Sequence, residues 1–167
     1  TSILGAFDWA TGVFDRMDAN STAVNHGMTK PFPEVDEKLI KTAIYKAALV
    51  LNMFEGIRFF CTFVTNWSFS EQPTKLMAGS SNIFKLIARD EMIHLDIVQR
   101  VLKMLRTDES EGFVEIAQEL EDETYEMFKT AYKEEMDWVE YLFSKGTPLI
   151  GMNEHILKEY MDYIFVV

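Results

Sequence analysis

The chain has 167 residues, 48% of them hydrophobic, which is enough for one compact domain with a real core and too apolar for disorder. A formal net charge of -11 excludes a general nucleic-acid binder and electrostatic attachment to anionic lipid, leaving metal ions or basic protein patches as polar partners. Eight Gly and four Pro disfavour an all-β fold, the single Cys61 excludes an internal disulfide and fits a reducing cytoplasm, and charges interrupt every apolar run of membrane-spanning length.

Residues 1–16 place Ile3, Leu4, Phe7, Ala10, Val13 and Phe14 at helical spacing, which predicts a short helix. The stretch 17–35, with Gly27, Pro31 and Pro33, reads as a loop. A long apolar helix follows over 36–69, with Asp36 as its N-cap and Glu37 in its first turn. After a second loop (Pro73, Gly79) a helix over 81–106 is expected, capped by Ser81. One long helix over 111–143 ends at Gly146 and Pro148, and Asn153 caps a last helix over 153–167. The fold class is therefore all-α, a bundle of long antiparallel helices in a single domain. The chain opens on Thr-Ser-Ile-Leu and stops on the apolar run Ile164–Val167 within a helical pattern, so it is expected to be part of something longer or of a split protein.

The chemistry concentrates in two segments. Glu91 and His94, three residues apart, project from one helix face, flanked at helical spacing by Phe84, Ile87, Ala88, Leu95 and Val98. A carboxylate and an imidazole on an apolar stripe must pair or bind a metal, because burying a bare charge costs several kcal/mol. Over 47–64 the only charged residues are Glu55 and Arg58, and Glu55 shares its face with Phe59 and Phe63. The alternatives to ligation are a hydrogen-bonded core pair for Glu91 and His94, and a salt bridge to Arg58 for Glu55. Gly56 is unfavourable in a helix interior and suggests a close helix approach beside that carboxylate. A di-iron carboxylate bundle takes one Glu from each of two helices and a Glu-x-x-His from each of two others. Glu55, Glu91 and His94 are one such set, about half of what two ions require. His26 and His155 lack a glutamate three residues earlier and read as surface residues.

The strings Phe54-Glu55-Gly56-Ile57-Arg58-Phe59-Phe60, Ile87-Ala88-Arg89-Asp90-Glu91-Met92-Ile93-His94 and Asp137-Trp138-Val139-Glu140-Tyr141-Leu142-Phe143 resemble the second half of the class I ribonucleotide reductase small subunit, as does Ile150-Gly151-Met152-Asn153. The resemblance implies a ferritin-like di-iron fold, here partial, and an oxidoreductase component that uses dioxygen to generate the radical for deoxyribonucleotide synthesis. It implies that Glu55, Glu91 and His94 are metal ligands for iron, or manganese. It implies that Asp90 is a carboxylate bonded to a ligating histidine on the radical-transfer route. Leu86, Ile93 and Ile97 around Asp90 predict its burial. Phe59, Phe63 and Ile87 match the pocket that shields the radical, and plain core is equally compatible with them. Arg89 reads as a structural ion-pair partner.

The family's radical tyrosine, an aspartate ligand and a first Glu-x-x-His match nothing in this chain, nor does its C-terminal docking tail. Tyr45, Tyr125, Tyr132 and Tyr141 match no radical position, and Glu135, on an apolar stripe, reads as a snorkelling side chain. The partners implied are an N-terminal small-subunit segment with the remaining ligands and tyrosine, a large catalytic subunit, and a second small subunit. A ferritin-like di-iron oxidase, or an iron-binding bundle completed by homodimerisation, is the alternative.

Overall fold

The computed structural model describes residues 36–71, 75–146 and 151–166, so the helix expected over 1–16 and the loop over 17–35 lie outside the described residues. Among the described residues the regular elements are all helical. They are α1 (Glu37–Met53), a π-helical turn (Phe54–Arg58), α2 (Phe60–Ser70), α3 (Ala78–Thr107), a 3-10 turn (Glu109–Glu111), α4 (Phe113–Glu119), α5 (Glu121–Phe143) and α6 (Glu154–Val166). The all-α expectation holds.

Local chemistry accounts for most boundaries. Asp36 Oδ1 accepts from the Lys38 amide at 3.0 Å and Asn153 Oδ1 from the Ile156 amide at 3.0 Å, so each caps the helix that follows. Ser81 is not a cap. α3 starts three residues earlier, at Ala78, and the fully buried Ser81 hydroxyl instead donates to Ser70 Oγ at 2.9 Å. The single helix expected over 111–143 is broken twice. Gly112, at φ 67°, takes the left-handed conformation that glycine adopts without penalty and separates the 3-10 turn from α4. Leu120 leaves helical geometry, and Glu121, Asp122 and Glu123 then favour a fresh helix start through the helix dipole.

The run Glu37–Ser70 is long and apolar enough, by length and composition alone, to cross a membrane, contrary to the expectation from its charges. Two of the charges in that run, Glu55 and Arg58, engage α3 and α5 respectively.

The chain forms two compact units. One combines α1 up to Leu51 with residues 100–124. Its core comprises Ala43, Tyr45, Leu49, Val50, Leu102, Phe113 and Ile116, and Lys38–Glu119 (2.6 Å) and Lys46–Glu123 (2.7 Å) tie its helices at the surface. The other takes residues 52–99 and 125–167, and its core includes Met53, Ile57, Cys61, Ala131, Val139, Leu157 and Met161. Each full burial of a side chain such as Met53, Leu157 or Met161 stabilises by about 1.5–3 kcal/mol. All the candidate site residues belong to this second unit.

One face of α3 in the second unit is left open by the described residues. Ile83, Leu86, Ile93 and Ile97 recur there at helical spacing and are exposed. An exposed apolar face of this kind marks an interaction face.

Candidate metal centre

The site is built around the π-helical turn. Such turns widen the helix locally and concentrate at functional positions. Here the turn carries both Glu55 and Gly56. A Cβ on Gly56 would lie 3.1 Å from Leu95 Cδ1, so the missing side chain lets α3 come close beside Glu55. The next residue back on α3 is His94, and Glu91 lies one turn earlier on the same face.

Glu55, Glu91 and His94 thus converge, each offering a ligand atom within 4.8 Å of the others. His94 Nδ1 lies 3.2 Å from Glu91 Oε2, a hydrogen bond in the tautomer that carries its proton there, and 3.8 Å from Glu55 Oε1. Side-chain exposure is 15% for Glu55, 21% for Glu91 and 54% for His94, so the imidazole is not on a buried stripe as expected. Burial lifts the Glu55 carboxyl above its ordinary range; His94 opposes this and the Glu91 charge adds to it. Glu55 Oε2 is buried with no hydrogen-bond partner. Two carboxylates and an imidazole, with one buried and unbonded carboxylate oxygen, fit a divalent iron or manganese ion.

Phe63, in the helix that follows Glu55, is only 4% exposed and packs against Phe59 (6.0 Å between centroids), Phe60 (5.7 Å), Trp67 (6.3 Å) and Phe84 (5.8 Å). Phe59 and Ile87 were expected in the same dry pocket, but they are 38% and 37% exposed. Asp90 is exposed too, as are Leu86, Ile93 and Ile97 around it, and its contact is an Arg89 nitrogen at 3.3 Å. Ile87, Asp90, Leu86, Ile93 and Ile97 share one reason: they lie on or beside the open face of α3, which no described residue covers. His155 is on the surface as expected, 3.4 Å from Glu159. Tyr125 and Tyr141 are exposed, Tyr45 is buried, and the Tyr132 hydroxyl is bonded to Asp162.

The salt bridge offered as an alternative for Glu55 does not form. Arg58 turns to α5, where Nη1 donates to Glu135 Oε1 at 3.2 Å and Nη2 donates to Glu134. Glu135 does not snorkel. It is buried between Ala131 and Val139, one turn away on either side, and burial pushes its carboxyl up against the opposing pull of Arg58. Its place on an apolar stripe was the available signal, and a second lone charge, Arg58, on a facing apolar helix was its complement. The Cys61 thiol is fully buried near Glu135 and pushed up to about 12, mainly by burial, so it is chemically quiet.

Helices that bring a carboxylate and imidazole cluster together define the class, an all-α ferritin-like bundle. The profile of the family described as "Ribonucleotide reductase, small chain" matches residues 8–165, and the chain belongs to that family. It is similar to the ribonucleoside-diphosphate reductase 1 subunit beta of Escherichia coli O157:H7, with 40% identity over 127 residues, 75% of this chain and 33% of that protein. The corresponding protein of Salmonella typhimurium is 39% identical over 132 residues, 78% of this chain and 34% of that one. The subunit beta of Enterobacteria phage T4 is 33% identical over 125 residues, 74% of this chain and 32% of that one. This chain therefore spans about a third of the length of the curated relatives it matches.

Proposed function

We propose that this chain supplies one ion's ligands in the dinuclear centre of a ribonucleoside-diphosphate reductase small subunit. The observation that carries this reading is the convergence of Glu55, Glu91 and His94 with an unbonded, buried Glu55 oxygen. Bound there, iron or manganese supplies the redox chemistry toward dioxygen from which the radical for deoxyribonucleotide synthesis is made. The protein's own share is to place two carboxylates and an imidazole, and to keep water out with the aromatic group around Phe63.

Phe59, Phe63 and Ile87 form the radical-shielding wall, and Asp90 carries the second-sphere hydrogen bond on the transfer route. The open face of α3 supports a covering helical segment that holds the other ion's ligands and the tyrosine, either a separate chain or another part of the same one. The completed small subunit forms a dimer and works with a large catalytic subunit in the cytoplasm.

Metal analysis of the completed protein tests this. Glu91→Ala and His94→Ala each abolish or sharply weaken metal binding, whereas Asp90→Asn keeps the metal and impairs radical transfer. Normal metal content in Glu91→Ala would reduce Glu91 and His94 to a hydrogen-bonded pair.

A further inference from the structure

Glu55 and Arg58 stand three residues apart in one turn and do not pair. Opposite charges at this spacing attract. Each also keeps a buried polar atom with no partner among the described residues, the Glu55 Oε2 acceptor and the Arg58 Nε donor. Two complementary orphans so near in sequence are held apart by what surrounds them. Arg58 is taken by two carboxylates of α5, Glu135 and Glu134. With 14% of its side chain exposed, and Glu135 at 8%, this contact is largely desolvated. The turn helps, because π geometry opens the angle between positions 55 and 58 beyond that of an α-helix. Glu55 consequently faces α3 while Arg58 faces α5.

We propose that Glu134 and Glu135 are positioning residues that withhold Arg58 from Glu55, leaving the Glu55 carboxylate to a divalent metal ion shared with Glu91 and His94. This rests on the metal-site reading above. A guanidinium cannot shed its charge in a protein. Released from α5, it becomes a fixed cation beside Glu55, and a metal ion then has to displace it. The two glutamates act through Arg58 and touch no ligand.

The test is to titrate ferrous iron and manganese(II), separately, into the completed protein and read the dissociation constant from bound metal at equilibrium. The melting temperature of the metal-free protein is followed alongside. The double variant Glu134→Gln/Glu135→Gln frees Arg58 and weakens binding about tenfold or more, the size typical of disturbed partners behind metal ligands. Adding Arg58→Gln to that pair removes the competitor and returns affinity toward the parent value. The proposal fails if the double variant binds as tightly as the parent. It fails equally if the triple variant stays as weak as the double, because the glutamates then act by holding the fold. Should the double variant not fold, Glu135→Gln against Arg58→Gln/Glu135→Gln makes the same comparison with Glu134 in place. Equal binding by the parent and Glu91→Ala is a different failure: it removes the metal-site reading itself, whatever Glu134 and Glu135 do.

Discussion

Two polar clusters leave the turn Phe54–Arg58 in different directions. Arg58 joins Glu134 and Glu135 of α5, and Glu55 joins Glu91 and His94 of α3. Each takes one residue from the turn and two from a neighbouring helix, and each includes a carboxyl that burial raises, Glu135 in one and Glu55 in the other. They differ in electrostatic balance. The α5 cluster contains a permanent cation. The α3 cluster has two acids and an imidazole, and one of its carboxylate oxygens bonds to nothing. Partly dry carboxylates are tolerated only with a proton or a cation beside them. The first cluster therefore carries its own countercharge, although Arg58 Nε has no partner among the described residues, and the second is receptive to an ion from outside.

The sharpest way to break this contrast is to make the complete cluster incomplete. Arg58→Met leaves the buried Glu135 with no countercharge and should cost about 3 kcal/mol in urea or thermal unfolding of the completed protein. An unchanged midpoint would mean that Glu135 is not a buried, paired carboxylate in solution. The reverse experiment completes the receptive cluster. Metal at about 100 times its dissociation constant should stabilise the completed protein by about 2.7 kcal/mol relative to the stripped form. His94→Ala should remove that difference, and an equal gain in the variant would place the metal elsewhere.

A smaller effect is expected where α3 meets the turn. Gly56→Val pushes side-chain atoms into Leu95, whose Cδ1 is already 3.1 Å from an ideal Cβ. The expected loss is about 1–2 kcal/mol, relieved in part by Leu95→Ala; an additive outcome in the double variant would refute the contact.

The pH dependence of Glu135 probes the balance within its own cluster. Burial, offset in part by the Arg58 hydrogen bond and charge, holds this carboxyl above the ordinary 4.5. The folded protein keeps that proton more tightly than the unfolded chain does. The side chain's contribution is thus fully present below pH 4.5 and declines as pH rises through the raised value. The stability gap between the parent and Glu135→Gln should narrow across that window. A widening gap would show that Arg58 outweighs burial. The smallest effect belongs to an ion pair in water: Lys38→Ala breaks the exposed contact with Glu119 and should leave the unfolding midpoint where it is, and a clear drop would show that this contact is not solvent-screened.

Much of the architecture was legible in the chain itself. Hydrophobic spacing and caps such as Asp36 and Asn153 are local signals that can be read without knowing the neighbours. The Glu-x-x-His spacing put Glu91 and His94 on one face, and the lone charges of an apolar segment marked Glu55 and Arg58. Other features depend on contacts between distant segments. Whether Glu55 pairs with Arg58 or turns to His94 depends on a π turn that no residue in Phe54–Arg58 announces, and on Glu134 and Glu135 nearly eighty positions away. The burial expected for Asp90 and Ile87 failed for the same reason in reverse. An apolar stripe records that a face is meant to be covered, while its cover is a matter of tertiary structure. Which residues carry chemistry, and which helix faces they share, follow from helical period and residue type. Which charge meets which does not, because several electrostatically acceptable pairings exist and packing between distant segments selects among them.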